Sequence, residues 1–162
     1  MIDLKRILVP TDFSETSEAA LRYGTELARR FTARLYLLHI VENPGDAAEA
    51  GDPIGLFETM QAAAHDRLGK LLTTEQLQEF RPERTMRLGV AADEIVRYAQ
   101  EHEIDLIVMG THGRRGVARA LMGSVAERVV RTAPCPVLTV HHPEHEFVAE
   151  DEPIRTFAEA RA

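Results

Sequence analysis

The chain has 162 residues, 44% of them hydrophobic and 28% charged, which is ordinary for a globular fold and enough to bury a sizeable core. A formal net charge of −7 argues against a sequence-independent grip on nucleic acid, whose phosphates need basic partners. The single cysteine, Cys135, excludes an internal disulfide and reads as a small hydrophobe between Pro134 and Pro136. No basic, apolar and small-residue sequence of a signal peptide follows Met1, and the apolar runs are too short to span a bilayer. The expectation is a cytoplasmic protein with no membrane insertion.

In chain order, Ile7, Leu8 and Val9 form an uninterrupted apolar run, as in a strand buried on both faces. Asp12, Phe13 and Ser14 make a turn, with Ser14 an N-cap and Glu15 and Glu18 at the positive helix end. Ala20, Tyr23, Leu27 and Phe31 mark one face of the first helix. Residues 34–41 read as the second strand. The breaker-rich segment 42–55 follows as a long loop, and one helix is expected over residues 56–80. Residues 83–88 alternate, with Met86 and Leu88 on one side and Thr85 and Arg87 on a wetter one. Ala92, Ile95, Val96 and Ala99 give a third helix, residues 106–109 a fourth strand, Val125, Val129 and Val130 a fourth helix, and residues 136–140 a fifth strand.

This alternation predicts an α/β fold: an open five-stranded parallel sheet, Rossmann-like, with helices on both faces. The expected strand order is 3-2-1-4-5. Two regions follow, a body over residues 1–140 and an extension over residues 141–162 with six acids against two bases. His141, His142 and His145 with Glu144 and Glu146 lack a second ligand group at zinc-site spacing, so plain solvation or adventitious binding is expected, and no metal site is assigned.

In an open α/β sheet a ligand crevice forms where the winding reverses, here between the C-terminal ends of strands 1 and 4. Those ends carry Pro10-Thr11-Asp12 and Gly110-Thr111-His112-Gly113. The second continues to Gly123-Ser124, which opens a helix whose N-terminal amides suit phosphate. Each residue also has a plainer role. The glycines suit turns, Ser124 an N-cap, His112 a loop position, and Arg114, Arg115 and Arg119 either phosphate contact or simple solvation.

The spacing Gly110-x2-Gly113-x9-Gly123-Ser124 matches the nucleotide-binding motif of the universal stress protein family, G-x2-G-x9-G-[ST]. The chain resembles that family from residue 3 to 140. The resemblance also rests on Ile7 through Ser14, on Asp105 through Gly110, on Ser124 through Val129 and on Ala133 through Val137. It implies a homodimer or higher homo-oligomer formed through strand 5, binding ATP with Mg²⁺ on the phosphates. Carried over by position, Pro10, Thr11 and Asp12 would line the adenosine end and Ile40 or Val41 would flank the adenine. Gly110 would approach the ribose, while Gly113, Gly123, Ser124 and Val125 would hold the phosphates. Three functional readings remain open: an ATP-binding regulatory protein of the stress response, a slow ATPase or phosphate-transferring enzyme, and a scaffold regulating a partner such as a transporter. The sequences GxxxxGK[ST] and GxSxG are absent. Asp12, His112 and Arg114 are the only nearby candidates for catalysis, and none is assigned a catalytic role.

Overall fold

A computed structural model of the chain describes residues 1–42, 53–112 and 122–141. Strand β1 (Arg6–Pro10) leads into helix α1 (Glu15–Phe31), and β2 (Arg34–Val41) precedes α2 (Pro53–Gly69) and α3 (Thr74–Phe80). Then come β3 (Glu83–Leu88), α4 (Ala91–Glu101), β4 (Leu106–Gly110), α5 (Ser124–Thr132) and β5 (Val137–Val140). The five strands form one parallel sheet in the order β3-β2-β1-β4-β5, as the alternation predicts.

The register explains the apolar run in β1. Ile7 lies opposite Leu35 on one side and Leu106 on the other, and Leu8 sits between Tyr36 and Ile107. Successive side chains of a strand point to opposite faces, so Ile7 and Val9 enter one core while Leu8 enters another. The first core gathers Leu35, Leu37 and Val108 under α1, with Leu68, Leu71, Leu72 and Phe80 from the α2–α3 region. The second gathers Leu38, Ile107 and Met109 under Ile95, Tyr98 and Ala99 of α4 and Ala126 and Val129 of α5. Half-buried Cys135 joins the edge of that second core, and burial pushes its thiol pKa up.

The structure departs from the expected elements at three places, the first being that α2 begins at Pro53, inside the segment expected as loop. The helix expected over 56–80 is two helices. Thr73 caps α3, its hydroxyl accepting from the Gln76 backbone amide at 3.2 Å while Gln76 Oε1 accepts from the Thr73 backbone amide at 2.9 Å. This reciprocal pair satisfies donors that a continuous helix would have used internally, so the chain stops and restarts there. Leu88, expected beside Met86 on the covered side, is 36% exposed because β3 is the sheet edge and its last residue extends past the core.

A polar network ties that edge to α4 at the opposite end of the strands from the crevice. The Glu83 carboxylate accepts from the Tyr98 hydroxyl at 3.2 Å and from Arg34 at 3.0 Å, with His102 Nε2 at 3.5 Å. Tyr98 also meets the Thr85 hydroxyl at 3.2 Å and stacks on His102 at 3.8 Å between ring centroids. Burial pushes the Tyr98 phenol up to about 12.

Candidate functional site

The neighbours of β1 are β2 on one side and β4 on the other, so the winding reverses at the C-terminal ends of β1 and β4. The rim begins with the turn after β1. The Thr11 amide donates to the Leu38 carbonyl at 2.9 Å, which carries the β1–β2 ladder one residue past the strand. Asp12 Oδ1 accepts from the Ser14 amide at 3.0 Å and the Ser14 hydroxyl at 2.6 Å, a local turn that competes with helix and sets its start. Ser14 then caps α1, its hydroxyl accepting from the Ser17 amide.

Across the crevice, β4 ends at Gly110 against the first turn of α1. A Cβ on Gly110 would lie 2.8 Å from the Thr16 methyl carbon and 3.0 Å from its carbonyl carbon, so only glycine admits this approach. The Thr111 amide bonds the Val140 carbonyl at 2.8 Å, and the Gly123 amide donates to the Thr111 carbonyl at 2.7 Å. That last bond fastens the start of α5 to the end of β4. A Cβ on Gly123 would sit 2.9 Å from the same carbonyl oxygen.

Gly123 is the N-cap of α5, with no side-chain cap, so Ser124 occupies the first helical position rather than the cap. The first intrahelical bond runs from the Glu127 amide to the Gly123 carbonyl. The amides of Ser124, Val125 and Ala126 therefore have no helical carbonyl one turn back, and they carry the positive end of the helix. The amide of Gly123 itself is engaged by Thr111.

The described predicted residues lie at the C-terminal ends of β1, β2 and β4 and at the start of α5. Pro10 and Thr11 are buried, Asp12, Gly110, Gly123 and Val125 are half-buried, and Ser124 is exposed. Ile40 and Val41 are half-buried at the end of β2, and Ile40 and Val125 both pack on the core beneath α4 and α5. Gly113 and Arg114, with Arg115 and Arg119, lie outside the described residues, as do His142 and His145. His112 and His141 share one hydroxyl: Thr111 Oγ1 is 3.0 Å from Nδ1 of the first and 3.2 Å from Nδ1 of the second. A hydroxyl has a single proton, so it donates to at most one of these nitrogens.

Several contributors have no local sequence signal. His39 Nδ1 lies 2.9 Å from the Thr11 carbonyl; a carbonyl only accepts, so that nitrogen carries the proton. The Thr11 hydroxyl meets the Ser17 hydroxyl at 3.0 Å and accepts from the Phe13 amide at 3.0 Å. Arg67, from α2, places its guanidinium 3.8 Å over the Phe13 ring. These partners are distant in sequence or hidden in an apolar strand run, and only the fold brings them together.

An open parallel sheet whose winding reverses between β1 and β4 defines the class of α/β proteins that seat ligands beyond the strand ends. The chain belongs to the universal stress protein family, whose model matches residues 3–141. A universal stress protein of Methanocaldococcus jannaschii is 37% identical to it over 145 residues, covering 88% of this chain and 85% of that one. The solved UspA of Lactobacillus plantarum is 29% identical with a TM-score of 0.71, covering 86% of this chain and 99% of that one. A universal stress protein solved in complex with cAMP is 25% identical at a TM-score of 0.60, with 86% and 99% covered. One from Archaeoglobus fulgidus solved with dAMP is 25% identical at 0.51, with the same coverage.

Proposed function

We propose that this chain binds an adenine nucleotide, ATP in the first instance, in the crevice between the ends of β1 and β4, and acts as a regulatory protein of the stress response. The observation that carries the reading is the meeting of two sequence-distant segments: the β1–α1 turn with Asp12, and a β4–α5 connection whose glycine spacing is that of the family motif. The cAMP and dAMP held by two solved relatives support an adenine nucleotide as the ligand.

In this reading Pro10, Thr11 and Asp12 line the adenosine end, and Ile40 and Val41 supply the apolar wall for the base. Gly110 lies beside the ribose. The amides of Ser124 and Val125 and the Ser124 hydroxyl meet phosphate oxygens at the positive end of α5, with Gly113 and Arg114 completing the phosphate loop. Among the described residues no three histidine, cysteine or acidic side chains gather as a metal cage. Mg²⁺ would take most of its ligands from phosphate and water and neutralise the polyphosphate.

Cytoplasmic residence and homodimerisation through the β5 edge belong to the same proposal. Among the described residues no helix is long and apolar enough to cross a membrane. An open edge strand is a template for a second copy. Regulation of a protein partner would then follow occupancy of the crevice.

Purified protein examined by mass spectrometry is expected to carry adenine nucleotide or, once stripped, to bind ATP calorimetrically in the micromolar range, a free energy of about −8 kcal/mol. No retained nucleotide and no heat would overturn the proposal. Steady hydrolysis well above background, lost with Asp12→Ala, would favour the slow ATPase instead.

A further inference from the structure

Phe13 stands between the end of β1 and the start of α1 with a backbone φ of 64°. A bulky L-residue in the left-handed region costs roughly 1–2 kcal/mol, so the surroundings must enforce it. They do so from three directions. The ring is 4% exposed and belongs to the core under α1 and α2. His39 of β2 lies against it at 4.5 Å between ring centroids, and Arg67 of α2 covers it at 3.8 Å. The Phe13 amide is held by the Thr11 hydroxyl, itself joined to Ser17 of α1.

The residue thus immobilised is the one directly after Asp12, whose carboxylate is turned back onto Ser14. A left-handed residue reverses the chain within a single step, and the direction of that step decides where the preceding carboxylate lies. We propose that Phe13 is a positioning residue for the nucleotide site: its buried ring, in contact with His39 and Arg67, holds the left-handed turn that presents Asp12 to the ligand. The inference rests on the nucleotide reading given above and extends it. It makes α2, through Arg67, part of the affinity of the crevice.

The cation over the ring is a small contribution by itself, about 0.5–2 kcal/mol depending on desolvation. Its importance is that it comes from α2, an element remote in sequence from the turn, and touches the ring directly. Replacing Arg67 by lysine keeps a cation there. Replacement by methionine keeps much of the stem and removes the charge.

The test is a double-mutant cycle read by ATP calorimetry on the full chain, with thermal unfolding recorded for every variant. Asp12→Ala and Phe13→Ala are each expected to weaken ATP binding by about tenfold or more, and the double variant by no more than the stronger single one, since one acts through the other. A residue that only stabilises the fold would give multiplying losses, and that result would overturn the proposal. Should Phe13→Ala fail to fold, Arg67→Met replaces it in the cycle with Asp12→Ala. Arg67→Met should weaken binding several-fold, and Arg67→Lys should restore most of the affinity. Equal affinity for the methionine variant and the unaltered chain would overturn the proposal. An unaltered chain that binds no ATP overturns the nucleotide reading and this one with it. ATP bound normally with multiplying losses overturns this one alone.

Discussion

At the scale of single residues, the contacts of Gly123 put two demands on one atom: its amide reaches the Thr111 carbonyl, and there is no room for a Cβ against that same oxygen. Gly123→Val should therefore push the start of α5 away from β4 and displace the Ser124 and Val125 amides. We expect ATP affinity to fall at least tenfold by calorimetry, about 1.4 kcal/mol or more, with the circular dichroism of the fold retained. Unchanged affinity would remove α5 from the phosphate site. Gly123 was legible from its spacing, whereas Phe13 was not. Nothing in Asp12-Phe13-Ser14 announces a left-handed residue, since the usual marker is glycine, and the groups that enforce it come from β2 and α2. The same limit hid the Thr111 hydroxyl shared by His112 and His141, which lie on different strand ends.

At the scale of elements, periodicity carried most of the fold. The run in β1 and the stripe of α4 each state which face is covered, and the two cores on either side of the sheet confirm them. The division between α2 and α3 escapes the periodicity because the stripe of Leu68, Leu71 and Leu72 ends just before it, while Leu77 and Phe80 resume on a different face. The signal was present in the Thr73-x-x-Gln76 pair, a capping box read as helix interior. Thr73→Ala should cost about 1 kcal/mol in denaturant unfolding by removing that cap. A loss near zero would mean that the α3 start is held by packing alone. At the far end of the strands, the Tyr98 phenol of α4 has a folded value raised to about 12 from an ordinary 10, chiefly by burial. The folded state therefore keeps the proton after the unfolded chain has lost it. The stabilisation is complete below pH about 10 and is lost as pH rises through about 12. Denaturant midpoints followed across that interval should fall for the unaltered chain, and the decline should flatten for Tyr98→Phe.

For the whole molecule, strand order turns a list of motifs into a site. Pro10 through Asp12 are remote in sequence from Gly110, Gly123 and Ser124, and the central position of β1 between β2 and β4 brings their segments together. The family match ends at residue 141, so removing residues 142–162 should leave ATP affinity within about twofold. Calorimetry checks this, and a larger loss would make the acidic extension part of the binding unit. The Glu83–Tyr98–His102 network clamps the end of the strands opposite the crevice, where α4 finishes and β3 begins. Tuning that hub should raise or lower the melting temperature while the binding constant stays put. The protein can therefore drift in durability without altering the opposite end of the sheet.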